Sequence, residues 1–304
     1  MPDLKTTLTG LKLNNPLILA SGILGVTKAS LRYVAENGAG ALTIKSISEL
    51  PRKGHNGPNM HAYKAGFLNA VGYSNPGMKE AREEFQNLKE VGVPVIASFI
   101  GTKAADFAKV AEYLENCDFA AVELPLSCPH TPGYGTMAGQ GTPKATELIT
   151  KAVRKVTKKP LFIKVSPNIQ ALTDVCKAAE AAGADGITAV NTLGPGMVIN
   201  IEARKPMLDF KMGGVSGAAL RPVAVRCVYE IAQAVKIPVI GTGGIETGRD
   251  AIEMIMAGAT ALGIGTAVYT RGVECFRLLA DETKEWMKKN GIKSLEEIRG
   301  VAFR

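Results

Sequence analysis

The sequence predicts an α/β fold, a single (β/α)8 barrel with loop insertions on its C-terminal face. Three observations carry this reading. Eight short apolar runs rich in Val, Ile, Leu and Ala recur along the chain, most of them separated by amphipathic helical patterns. Each run is apolar almost throughout, as a parallel strand covered on both faces must be. The 304 residues fit one barrel of this kind, which commonly takes about 250. An open doubly wound sheet is the competing architecture.

The runs are Leu17–Ile23, Ala41–Ile47, Val93–Ile100, Phe119–Ser127, Leu161–Ser166, Gly186–Thr192, Ile237–Ile245 and Ala261–Tyr269. Between them, Thr146–Lys158 sets Leu148, Ile149, Ala152, Val153 and Val156 on one helical face, and Leu172–Ala182 and Ala251–Ala257 repeat the pattern. Helices pass to strands through Gly38-Ala39, Gly183-Ala184 and Gly258-Ala259, where a glycine closes the helix in a left-handed conformation. Longer excursions at 49–79, 128–144 and 193–222 extend the face on which a barrel of this kind carries its active site. No linker or low-complexity tract divides residues 1–304, so one domain is expected.

Composition narrows the function classes. The net charge is +8, but the lysines and arginines are scattered and no aromatic residues interleave with the densest run, Lys151 to Lys159. Nucleic-acid binding is therefore not expected; the charge suits collection of anionic ligands. Five widely spaced cysteines without a CxxC pair point to a reducing, cytoplasmic compartment. No apolar run is long enough for a membrane span. His55, His61 and His130 lack metal-ligand spacing, so no metal is expected.

The candidate chemistry lies at the strand ends. Cys128 stands where the fourth run opens into a glycine-rich loop, well placed to reach a ligand. Lys45 and Lys164 sit in or at the end of apolar strands, a costly position unless each meets an anion or lines a cavity; the alternative is a stem that snorkels outward. Gly243-Gly244, the helix start Thr247–Asp250 and Gly265-Thr266 together fit a phosphate site, since glycines let backbone N–H groups approach an oxyanion. Asn69 and Asn75 lie in the turn Asn69–Gly77, where side-chain amides could read a planar imide or carboxylate; a plain turn is the other reading.

Taken in order, Lys45-Ser46, PRKG at 51–54, NAVGYSNPG at 69–77, LSCPH at 126–130, IKVSPN at 163–168, VNT at 190–192, GGVSG at 213–217 and GTGGIETGRDA at 241–251 resemble the class 1B dihydroorotate dehydrogenase catalytic subunits, in a divergent or archaeal-type form. The resemblance spans nearly the whole chain. It implies FMN-dependent oxidation of dihydroorotate to orotate in pyrimidine biosynthesis. Ser21, Lys45, Ser46, Lys164, Val190 and Gly217 would line the flavin, and Gly243, Gly244, Gly265 and Thr266 would hold its phosphate. Lys45, Asn69, Ala70, Val71, Gly72, Tyr73, Asn191 and Thr192 would touch the pyrimidine, with Cys128 as the base. It also implies a partner subunit that carries FAD and a [2Fe–2S] cluster and passes electrons to NAD, in an assembly built on a homodimer or a heterotetramer. The chain departs from the family at Pro125 and Ser98, where Asn is usual. An alternative is thus a related flavin oxidoreductase acting on another dihydropyrimidine-like ring. The competing class is a non-redox barrel that binds a phosphorylated metabolite.

Overall fold

A computed structural model describes residues 2–126 and 141–303. The chain opens with a hairpin, β1 (Thr6–Leu8) and β2 (Leu11–Leu13), and then builds a closed barrel. The barrel strands are β3 (Leu17–Leu19), β4 (Ala41–Thr43), β7 (Val95–Ser98), β8 (Ala121–Pro125), β9 (Leu161–Val165), β10 (Gly186–Ala189), β15 (Val239–Thr242) and β16 (Ala261–Ile264). They pair in that order, all parallel, with β16 closing on β3. The eight-stranded barrel expected from the sequence is therefore the fold, with strands shorter than the apolar runs that announce them.

The remaining strands come from two of the excursions. β5 (Met60–Tyr63) and β6 (Gly66–Asn69) join β11 (Leu193–Gly196) and β14 (Gly213–Ser216) in a four-stranded antiparallel sheet of order β11-β14-β6-β5. β12 (Ile199–Asn200) and β13 (Lys205–Pro206) form a small hairpin. The sequence shows these segments only as insertions, because the pairing that unites them, β6 with β14, joins residues 145 apart such as Asn69 and Gly214.

The helices flank the barrel: α1 (Lys28–Glu36), α2 (Met78–Glu84), α3 (Ala104–Leu114), α4 (Pro143–Arg154), α5 (Leu172–Ala181), α6 (Arg221–Ala234), α7 (Gly248–Met256), α8 (Ala267–Arg271) and α9 (Cys275–Lys289). Each longer helix buries one stripe against the strands' outer faces, such as Phe107, Val110, Ala111 and Leu114 of α3. One expected contact differs. Leu148 of α4 is exposed, and the buried stripe is Thr146, Ile149, Thr150 and Val153. Thr150 reaches the core because its hydroxyl donates to the Thr146 carbonyl, 2.7 Å away, which satisfies its polar atom within the helix.

Strand side chains alternate, so residues two apart line the same face. The inward set at the barrel's lower end is apolar: Ile18, Ala41, Ile96, Ala121, Phe162, Ile240 and Ala261. Leu8 and Leu13 of the N-terminal hairpin pack against this set and stopper that end. Gly186 completes the ring, and a Cβ there would lie 2.5 Å from the Phe162 ring. One aromatic side chain thus fills the space of two positions. Two residues further along the strands the inward set turns polar, with Thr43, Ser98, Glu123, Lys164, Thr188 and Thr242 all buried.

Because Phe162 fills this double space, Phe162→Ala should leave a void that the barrel cannot collapse. A loss of about 3–5 kcal/mol in unfolding free energy is expected, read as a lowered midpoint in chemical denaturation.

Candidate active site

A cavity opens above the polar layer, at the C-terminal ends of the barrel strands. Its floor and one wall carry Ser21, Lys45, Ser46 and Lys164, with Pro125 beside them. Val190, Asn191 and Thr192 follow from the end of β10, and Gly217 and Ser216 from the end of β14. Asn69, Ala70, Val71, Gly72 and Tyr73 form the opposite wall, and Gly243, Gly244, Gly265 and Thr266 close the far end. These are all the site residues named from the sequence except Cys128, which lies outside the described residues with the rest of 127–140. Thr242 and the rim residues Met60, Phe67 and Tyr269 also line the cavity and were not anticipated. Thr242 could have been found by alternation, two residues before Gly244; the rim depends on tertiary placement.

The 69–77 turn is held by interactions that the sequence leaves open. Asn75 is buried and structural: its Oδ1 accepts from the Ser48 N–H at 3.1 Å and the Gly77 N–H at 2.9 Å, and its Nδ2 donates to the Tyr73 carbonyl at 2.8 Å. It is a strut under the turn, so of the two asparagines only Asn69 lines the cavity. The Asn69 amide also donates to the Gly214 carbonyl at 3.3 Å, which ties it to β14. Behind the wall, His55 stacks on Phe210 with ring centroids 4.0 Å apart, and its Nδ1 lies 3.1 Å from the Ala70 carbonyl oxygen. Gly72 is required there, because φ is +73° and a Cβ would come within 2.7 Å of the His55 ring.

On the floor, hydroxyls form a chain. Ser21 donates to the Ile44 carbonyl at 2.8 Å and lies 3.3 Å from Ser46, whose Oγ is 2.9 Å from that of buried Ser98. Ser98 is thereby satisfied inside the barrel. Lys164 is buried as well, its Nζ 3.9 Å from Oε1 of Glu123.

The far end has the backbone donors that an anion would need. The backbone N–H groups of Gly243, Gly244, Gly265 and Thr266 meet no protein acceptor among the described residues. Gly244 has φ of +69°, and a Cβ there would lie 2.6 Å from Cβ of Arg221. The helix start at Thr247–Asp250 does not add to these donors, contrary to the expectation from its spacing. Asp250 and Thr247 form a capping box: the Asp250 carboxylate accepts from the N–H groups of Glu246 and Thr247, and Gly248 N–H donates to Glu282 at 2.6 Å. Those donors are already satisfied by the protein.

The four cysteines among the described residues are free and buried, and none lines the cavity. Burial, reinforced by neighbouring Cys227, pushes the Cys176 thiol up to about 12, and burial pushes that of Cys275 to about 11. Neither is a base at neutral pH. Among the described residues, no group of three His, Cys, Asp or Glu could hold a metal ion, and no helix is long and apolar enough to cross a membrane.

Residues 3–287 match the family model for dihydroorotate dehydrogenase. This chain belongs to the dihydroorotate dehydrogenase family. Among curated dihydroorotate dehydrogenases, it is 46% identical over 298 residues to a protein of Methanosarcina mazei, covering 97% of this chain and 94% of the relative. It is 45% identical to one of Pyrococcus abyssi, covering 99% of each chain, and 41% identical to one of Methanocaldococcus jannaschii, covering 98% of each. All three carry the name dihydroorotate dehydrogenase B (NAD(+)), catalytic subunit. Similarity to dihydroorotate dehydrogenases thus spans both walls of the cavity and its glycine-lined end.

An ion pair braces the backbone beside the glycine-lined end. Arg271 of α8 donates to Glu282 of α9 at 2.6 Å and to the Glu246 carbonyl at 2.6 Å. Burial alone would raise the Glu282 carboxyl, but hydrogen bonds from Arg271 and Gly248 outweigh it and hold the group below its ordinary value. A depressed folded value means stability that is present above the unfolded carboxyl pKa and lost as pH falls through the folded one. Glu282→Gln should therefore lower the melting temperature near neutrality, with the gap to wild type closing as the pH drops below the ordinary carboxylate range. Thermal melts across that range test this.

Proposed function

We propose that this protein is the FMN-containing catalytic subunit of a dihydroorotate dehydrogenase that oxidises dihydroorotate to orotate in pyrimidine biosynthesis. The observation that carries the reading is the polarity of the cavity: two ammonium groups at its floor, and four unsatisfied N–H donors at its far end. A flavin mononucleotide has matching ends, with a ring that gains negative charge on reduction and a phosphate tail. The residues present fit it. Buried Thr242 Oγ1, in a residue that lines the cavity, has no partner among the described residues and offers a further polar contact. When bound, FMN supplies the acceptor for the hydride that leaves C6 of dihydroorotate.

The chain's own residues supply the rest. Gly243, Gly244, Gly265 and Thr266 hold the phosphate through backbone N–H groups. Ser21, Ser46, Val190 and Gly217 shape the slot for the ring, and Lys164 faces its developing charge. Lys45 binds the substrate carboxylate. Asn69, Ala70, Val71, Gly72 and Tyr73 hold the pyrimidine from one side, and Asn191 and Thr192 from the other. Cys128 takes the C5 proton on its Sγ. An unperturbed thiol has a pKa of about 8.5, so turnover rises as the pH moves into the mildly alkaline range.

A partner subunit with FAD and a [2Fe–2S] cluster would carry the electrons on to NAD. The relatives' shared name, a catalytic subunit of an NAD(+) enzyme, supports this. The assembly is a homodimer or a heterotetramer with its partner, working in the cytoplasm.

A second reading rests on Pro125, which lines the cavity with neither an amide side chain nor an N–H. Without an amide there, binding of orotate's ring loses a contact worth about 1–3 kcal/mol. In that reading the substrate is another dihydropyrimidine-like ring.

Purified protein is expected to show a flavin spectrum that bleaches on anaerobic addition of dihydroorotate. A colourless, flavin-free protein overturns the proposal; bleaching by a different dihydropyrimidine alone moves it to the second reading. Cys128→Ala should retain FMN and lose roughly 100-fold or more in turnover. Gly244→Ala should instead lose the cofactor itself, seen as a fall in flavin-to-protein ratio after gel filtration.

A further inference from the structure

Glu123 is the one carboxylate in the inward-facing polar layer, and it is 3% exposed. An isolated carboxylate at such depth is strongly disfavoured unless it is paired and hydrogen-bonded. It has two partners. Thr188 Oγ1 of β10 donates to its Oε2 at 2.8 Å, and Lys164 Nζ of β9 lies 3.9 Å from its Oε1. Among the described residues Oε1 accepts no hydrogen bond, so the ammonium is held by charge without being captured in a close contact.

Strand register sets the order of these groups. In the register of β8 and β9, Glu123 pairs with Phe162, and Lys164 pairs with Pro125, two residues further along toward the cavity. Lys164 lines the cavity and Glu123 does not. The carboxylate therefore sits beneath the ammonium, shielded from any bound ligand. An apolar residue in its place, like those of the layer below, would avoid the desolvation cost. The same exchange would leave Lys164 a buried cation without its counter-charge.

We infer that Glu123 is a positioning residue that anchors the Lys164 ammonium beneath the bound ring and moderates the positive charge the ring meets. This rests on the flavin reading of the cavity. Glu123 touches neither ring nor substrate; it acts through Lys164. Removing its charge leaves that ammonium unbalanced, which favours the reduced ring.

The test is the reduction equilibrium of the bound flavin, measured by spectroelectrochemistry without any pyrimidine. Glu123→Gln keeps the side-chain shape and an acceptor for Thr188. It should retain flavin and, at a fixed solution potential, raise the ratio of reduced to oxidised flavin on the order of tenfold, the scale of one unit charge several ångströms away in a protein interior. In a Lys164→Gln background the same change should have less than half that effect on the logarithm of the ratio. Glu123→Asp keeps the charge but withdraws it by one methylene, so it should give a smaller shift of the same sign; it decides the matter if Glu123→Gln does not fold. An unmoved ratio in a folded, flavin-bearing variant overturns the inference, as does an equal shift in both backgrounds. A wild-type protein that binds no flavin overturns both the proposed function and this inference. Failure of dihydroorotate to reduce the flavin bears on the substrate alone.

Discussion

The structure depends on alternation inside a closed parallel barrel. Every second residue of eight strands points to a shared axis, so each strand position is either a filler or a functional group, according to its height. At the bottom the inward residues are Ile, Ala and one Phe, and they behave as any packed core. One step up, the same geometry forces Glu123, Lys164, Thr188, Ser98 and Thr242 into each other's company. There the barrel accepts polar groups only because they satisfy one another or face the cavity. The cavity is the end of that gradient, where inward positions no longer need a protein partner.

Much of this was legible in the sequence because the relevant signals are local. The apolar runs give the strands, and Gly-Ala joints give the turns into them. Lysines at the ends of apolar runs, Lys45 and Lys164, mark the cavity floor. Gly243, Gly244, Gly265 and Thr266 mark its far end. The signals that misled are also local. Thr247–Asp250 has the spacing of an anion-binding helix start, yet the same Thr and Asp satisfy that helix themselves, and Glu282 on α9 takes Gly248. Asn75 has a recognition side chain, but Ser48 and Gly77 occupy it. Leu148 matches the apolar period of α4 and still faces solvent, since Thr146 and Thr150 can be buried at little cost once Thr150 bonds back to the helix. In each case a polar side chain's fate was decided by a partner distant in sequence or by its own backbone.

What the sequence could not show is the sheet that carries the wall opposite the lysines, although it named that wall's residues. β5 and β6 pair with β14, whose register sets Asn69 against Gly214 and Phe67 against Ser216. Nothing within either segment specifies the other, and short strands of mixed character carry weak periodicity. The sheet's own small core, Leu68, Ala70 and Leu208, becomes apparent only once the two excursions meet.

That arrangement bears on how the protein is made. One wall comes from residues near 70, its sheet partner from residues near 215, and the glycine-lined end finishes at Thr266. A chain emerging from the ribosome has no complete pocket until Thr266 and Tyr269 have been synthesised. During synthesis β5 and β6 wait with an unpaired edge, and the barrel waits for β16 to close on β3. Capture of any ligand by this cavity is thus a late event. It follows folding and cannot guide its early stages.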